Sequence, residues 1–240
     1  MKNYGDHWPS GKGIFETIRV EDQKVFALHR HHCRAKESAE KVGLQIPAEA
    51  EVAEATYEII NSDEYKEISL GRLRWHFGLN GEFSISYTEF QDPEHPAKLM
   101  VFAERLNDYK IKLKEYPYRN LELLKLAQAA GFDDGIITTG DNHVAESAVA
   151  SLLLKVDDQW ITPPLSSGIL NGVVRALVLE ADLAKVRRIP ENELVNIESA
   201  LLLTSLRNSQ IVAEIAGREL VIDAQMNAQI HELMNRYKGL

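Results

Sequence analysis

The sequence predicts an α+β protein in two parts: a small α+β N-terminal domain over residues 1–106 and a larger, β-rich C-terminal domain over 120–240, joined by 107–119. Three observations carry this. Residues Gly11 to Val20 alternate with period two behind a glycine turn. Asn80-Gly81 parts two extended runs, a strong hairpin signal. In the second half, short apolar strand-like runs surround one glycine-bearing helix entry, Gly168 to Arg175.

In the first strand, Phe15, Thr17 and Arg19 point one way and Ile14, Glu16, Ile18 and Val20 the other. Val25 to Leu28 reads as its hairpin partner, and His29 and His31 share one side of an extended segment. The pattern turns helical from His31 to Val42 and stops at Gly43, a residue suited to the left-handed cap. Pro47 to Asn61 gives a second helix. Three strands follow, Gly71 to Phe77, Phe83 to Phe90 and Lys98 to Ala103, and complete an antiparallel sheet in the first domain. Residues 107–118 have no clean period.

The second half opens with a helix from Asn120 to Ala130, closed by Gly131. Strands are predicted at Gly135 to Thr139 and Ala150 to Val156. The helix entered at Gly168 runs to about Lys185. Ser199 to Ser205 is an apolar strand, and Gln210 to Ile215 with Glu219 to Ile222 makes a closing hairpin through Gly217. There is no internal repeat.

The 240 residues carry a formal net charge of -9, with a pI near 5.4, which argues against a nucleic-acid binder. No apolar run is long enough to span a bilayer, and the polar N-terminus lacks a signal-peptide core. The single cysteine, Cys33, excludes an intramolecular disulfide and suits a reducing, cytoplasmic setting as a half-buried thiol.

No nucleophile elbow, phosphate loop or zinc spacing is present. No paired cysteine or carboxylate set lies near His29, His31 and His32 in the sequence, so a polar helix entry explains them better than a metal, and no metal ligand is assigned. Glycines at the 168–174 helix entry would let backbone N–H groups approach a phosphate, or simply make a turn. Glu146, between two strand-like runs, is either a surface carboxylate or a buried one that needs a cationic partner.

Together these segments resemble the class IV (fold type IV) pyridoxal-phosphate enzymes, the aminotransferase and 4-amino-4-deoxychorismate lyase family. The likeness rests on Gly-x-Gly-x-Phe-Glu-Thr-Ile-Arg-Val at 11–20, His31-His-Cys-Arg34 followed by Ser38-Ala39, and Lys114-Glu-Tyr-Pro-Tyr118-Arg-Asn120. It continues through Gly131-Phe-Asp-Asp134, Val144-Ala-Glu146-Ser, Ile161-Thr-Pro-Pro-Leu165 and Gly168-Ile-Leu-Asn-Gly172-Val-Val-Arg175. It implies that Lys114 carries pyridoxal 5'-phosphate, with Lys112 and Lys125 as the other lysines in range. Glu146 would pair with the pyridine nitrogen. Arg34, Thr204, Ser205, Gly172 and the amides of Val173 and Val174 would hold the phosphate, and Tyr118 would steady the lysine or phosphate.

Three departures stand out: a short N-terminal segment, one residue fewer between Tyr118 and Asn120, and two substitutions. Ser151 replaces the family's usual asparagine, and Val174 replaces a frequent threonine, which removes a hydroxyl from the phosphate seat. The activity implied first is the lyase of folate biosynthesis, releasing pyruvate and 4-aminobenzoate. The alternatives are a branched-chain or D-amino acid aminotransferase, or a non-catalytic binding protein. Arg72 and Arg74 are candidates for substrate carboxylates, against the plainer reading of solvent-facing strand arginines. A small-molecule substrate and a homodimer are the implied partners, with no nucleic acid and no membrane.

Overall fold

The computed structural model describes residues 13–79, 81–106 and 116–239. They form two compact units, one of residues 13–92 with 116–117 and 234–239, the other of 93–106 and 118–233.

In the first unit, β1 (Gly13–Glu21), β2 (Lys24–Val25), β3 (Leu70–Gly78) and β4 (Phe83–Glu89) make an antiparallel sheet in the order β2-β1-β3-β4. Two helices, α1 (Leu28–Lys41) and α2 (Glu49–Ile60), belong to the same unit. Its core combines Ile14, Ile18, Val20, Leu73, Trp75 and Phe77 from the strands with Leu28, Ala35, Ala39, Val52 and Ile60 from the helices. Period-two alternation therefore assigns one sheet face to the core, as expected. Trp75 Nε1 is satisfied inside that core by donating to Thr56 Oγ1 at 2.9 Å. α1 ends before Gly43, whose φ of +67° few other residues adopt cheaply. It begins at Leu28, so His29 and His31 lie on a helix and not on a strand. The tail returns to this unit: Ala27 N donates to Tyr237 O at 2.9 Å and Gly239 N to Val25 O at 2.8 Å. Lys238 Nζ reaches Glu21 and Asp22, both at 3.0 Å.

The second unit is built on a nine-stranded mixed sheet of β5 (Ala97–Leu106), β6 (Asp134–Thr139), β7 (Val144–Ser147), β8 (Ser151–Val156), β9 (Gln159–Thr162), β10 (Lys185–Val186), β11 (Ser199–Thr204), β12 (Asn208–Ile215) and β13 (Arg218–Glu219). The order is β10-β9-β8-β11-β12-β5-β6-β7, with β13 beside β12. Its helices are α3 (Tyr116–Ala129), α4 (Val173–Glu180) and α5 (Ala224–Asn235), the first starting and the last ending in residues of the first unit. One core gathers Leu99, Ile136, Leu152, Leu154, Leu202 and Val212, and another sets Leu123 and Ala127 of α3 against Phe102, Ile137 and Ala145.

Three expectations are corrected. β5 was expected in the first antiparallel sheet, but it runs parallel between β12 and β6. Its partners lie far along the chain, in the compact unit that takes in Pro93 onward. α4 stops at Glu180, because Asp182 at φ +55° turns the chain and frees Lys185–Val186 to pair with β9. α5 and the four-residue β7 are additional elements.

Candidate active site

The second unit brings Glu146, α4 and the β11 turn into one compact body. Glu146 lies on β7 and is only 5% exposed. Leu170 N donates to its Oε2 at 3.1 Å. The charge of Arg175, itself buried, also acts with it: burial pulls the Arg175 pKa down, and Glu146 opposes that. Arg175 is anchored separately, donating from Nε to Thr162 Oγ1 at 3.1 Å and from Nη2 to Pro163 O at 2.7 Å. A buried carboxylate with these neighbours is the environment that a protonated ring nitrogen would complete.

The turn that follows Glu146 is fixed by a second buried carboxylate. Asp134 accepts from Ser147 Oγ at 2.7 Å, from Gly135 N at 2.6 Å and from Ala148 N at 3.0 Å. Burial raises its pKa, against these hydrogen bonds, which lower it. Asn120, from α3, donates through Nδ2 to Ala148 O at 2.6 Å. The sequence motifs contained both residues without a role for either; their burial beside the 147–150 turn supplies one.

α4 begins at Val173, with Gly172 as its N-cap residue. Ala176 N returns to Gly172 O at 2.9 Å, so the amides of Val173 and Val174 precede the first intrahelical bond. A Cβ on Gly172 would lie 2.8 Å from Ser151 Oγ, so only glycine fits without movement there. Thr204 ends β11 and accepts from Arg207 N at 3.0 Å, which leaves its hydroxyl hydrogen to point elsewhere; Ser205 is half-buried in the same turn. Leading amides, a positive helix end and hydroxyls make a donor set suited to a phosphate.

In the first unit, Arg34 is buried and clamped: Nε donates to Glu16 Oε1 at 2.9 Å and Nη2 to Glu16 Oε2. His31 Nδ1 meets the same carboxylate at 2.7 Å. Burial pushes the Glu16 pKa up, but the charges and hydrogen bonds of Arg34 and His31 outweigh it and hold the group far below the usual carboxylate range. The other two histidines are tied to α2 and its approach, His29 Nδ1 to Glu49 at 2.8 Å and His32 Nε2 to Pro47 O at 3.0 Å. Arg72 and Arg74 share the sheet face opposite Leu73 and Trp75, paired across to Arg19 and Thr17. Arg19 is neutralised by Asp92, with two bonds of 2.9 Å. Arg72 and Arg74 are half-buried, and burial lowers the pKa of both; Arg74 is pushed down to about 10, by burial and then by the charge of Arg72.

Lys114 and Lys112 lie outside the described residues. Tyr118 falls in the first turn of α3, and its side chain is outside the described set. Lys125 is exposed on α3. Among the described residues no helix is long and apolar enough to cross a membrane.

Comparison with known proteins places this geometry. A provisionally named aminodeoxychorismate lyase of Schizosaccharomyces pombe is 23% identical over 174 residues, covering 70% of this chain and 73% of that protein. A provisionally named 4-amino-4-deoxychorismate lyase structure from Legionella pneumophila superposes with a TM-score of 0.82 at 21% identity, covering 94% of this chain and 91% of its own. The branched-chain aminotransferase of Thermoproteus uzoniensis gives 0.83 at 23% identity, over 95% and 85% of the two chains. The structural likenesses establish the fold, that of fold type IV pyridoxal-phosphate enzymes. The sequence pattern described as amino-transferase class IV matches residues 13–215. The chain therefore belongs to the class IV aminotransferase family, enzymes that use pyridoxal phosphate.

Proposed function

We propose that this enzyme is a 4-amino-4-deoxychorismate lyase, which releases pyruvate and 4-aminobenzoate. The observation that carries the reading is the Arg72–Arg74 pair. Two half-buried guanidinium groups stand two residues apart on one strand face; burial lowers the pKa of both, and the charge of Arg72 lowers that of Arg74 further. 4-Amino-4-deoxychorismate has two carboxylates to set against the pair, and a branched-chain amino acid has one.

The residues of the second unit fit the cofactor's two polar ends. The amides of Val173 and Val174 and the hydroxyls of Thr204 and Ser205 would bind its phosphate, with Gly172 keeping the approach open. Glu146 would hold a proton on the pyridine nitrogen. When bound, pyridoxal phosphate supplies an electron-poor ring that withdraws charge from the substrate's α-carbon. The family resemblance gives Lys114 the covalent attachment and the transfer of the α-proton, Arg34 a phosphate contact and Tyr118 a steadying hydroxyl. Glu16 would fix the orientation of the Arg34 guanidinium. A cytoplasmic homodimer accompanies this reading.

The test is a side-by-side assay of purified enzyme with pyridoxal phosphate. One arm measures 4-aminobenzoate and pyruvate formed from aminodeoxychorismate; the other measures amino transfer from branched-chain or D-amino acids to 2-oxoglutarate. Equal amounts of 4-aminobenzoate and pyruvate, lost in Arg74→Ala, are expected. Amino transfer without 4-aminobenzoate would make the enzyme an aminotransferase, and a silent pair of arms with no reducible cofactor band would support a binding protein.

A further inference from the structure

We propose that Ser151 is a direct phosphate ligand in this enzyme, its hydroxyl standing in for the one that Val174 lacks; this rests on reading the start of α4 as the phosphate seat. Ser151 opens β8 and is 6% exposed. Its register partner on β11 is Leu203, the residue before Thr204, so Ser151 and Thr204 reach the same end of the sheet. Its Oγ sits over the N-cap of α4, where a Cβ on Gly172 would approach it to 2.8 Å. Thus a hydroxyl, a glycine without a side chain and the leading amides of Val173 and Val174 converge at one point.

Ser151 is largely buried, and no hydrogen bond of its Oγ to another described residue is seen, while the Oγ itself is not fully enclosed. A largely buried hydroxyl gains from a partner, because it has given up most of the hydrogen bonds it made in water. Aimed at a helix N-terminus, this one is suited to an anion that accepts from both. Serine at 151 is smaller than the asparagine that the resemblance leads one to expect, and it sets a hydroxyl beside Gly172. The two substitutions, serine at 151 and valine at 174, are therefore linked: one hydroxyl has moved from the helix to the neighbouring strand.

The experiment titrates apo-enzyme with pyridoxal phosphate and, separately, with pyridoxal, which lacks the phosphate, following cofactor absorbance. Ser151→Ala should weaken pyridoxal phosphate about tenfold or more, as loss of a hydrogen bond to a charged group does, and leave pyridoxal unchanged. Ser151→Ala with Val174→Thr should recover most of the loss, because the hydroxyl returns to the helix. Equal affinity of wild type and Ser151→Ala for pyridoxal phosphate would overturn the proposal while leaving the phosphate seat intact. Equal weakening of both ligands would also overturn it, since the residue would then act through packing. If wild type binds pyridoxal as tightly as pyridoxal phosphate, the phosphate seat itself is misassigned and the role of Ser151 falls with it.

Discussion

Changing Glu16 to Gln would leave the Arg34 guanidinium and the His31 ring against a neutral amide in a space almost closed to water. Glu16 is 1% exposed, His31 1% and Arg34 8%. The carboxylate accepts from two arginine nitrogens and meets the imidazole, so its loss removes the facing negative charge from a buried cation. Breaking a buried pair from one side costs about 3–5 kcal/mol. With a urea dependence of about 2 kcal/mol/M, the unfolding midpoint should fall by about 2 M. Urea titration at pH 7, followed by far-UV circular dichroism, reads this directly. The pH dependence adds a check on sign. The folded Glu16 pKa is held below its unfolded value, so the stabilisation is complete above the ordinary glutamate value of about 4.3 and disappears as pH falls through the lower folded value. The gap between parent and Glu16→Gln should therefore be full at neutral pH and narrow only in acid. A midpoint within about 0.3 M of the parent at pH 7 would refute the argument, since it corresponds to well under 1 kcal/mol.

Glu146→Gln should reduce turnover by about 10²–10³, because an amide does not hold the ring nitrogen protonated; turnover within about threefold of the parent would remove Glu146 from the chemistry. Gly172→Ala should cost about 1–3 kcal/mol by overpacking against Ser151 Oγ, and less in a Ser151→Ala background, so additive thermal shifts in that double-mutant cycle would contradict the contact. Asn120→Ala should destabilise by about 1–3 kcal/mol, since Ala148 O loses its buried donor, and an unchanged melting temperature would show that the turn is held by other means. Asp134 works oppositely to Glu16. Its raised folded pKa gives a contribution that is complete below the ordinary aspartate value of about 3.9 and declines as pH rises through the folded value. Asp134→Asn should abolish that decline; urea midpoints with the same pH slope in both proteins would count against it.

Local signals in the chain were sufficient for β1, β3 and β4 and for the end of α1, but not for its start. Alternation separated the two faces of β1, Gly43 marked the end of α1, and the hairpin signal at Asn80-Gly81 parted the runs that are β3 and β4. What local signals missed was non-local or short. β5 has the composition of any half-buried strand, and nothing within it says that its partners are β6 and β12. β7 is four residues long and β10 two, too brief for a period to show. The same division runs through the site. Glu146, Gly172 and Thr204 stood out as chemistry-bearing residues or by resemblance. Glu16 was read only as sharing a strand face with Ile14, Ile18 and Val20, because its value depends on Arg34, 18 residues away, and on a helix placed over the strand. Ser151 was read as a departure from pattern, and only its proximity to Gly172 gives it a use.

The return of the tail to β2 has a consequence for synthesis. The bond from Lys238 to Glu21 links residues 217 apart in the chain, and the main-chain bonds from residues 237 and 239 close on the same short edge. At translation rates of about 5–20 residues/s, roughly 10–40 s separate the two sides of that contact on the ribosome. The first sheet is thus begun long before the contact that closes its edge, and during the interval its two-residue edge strand is open to chaperones or to another nascent chain.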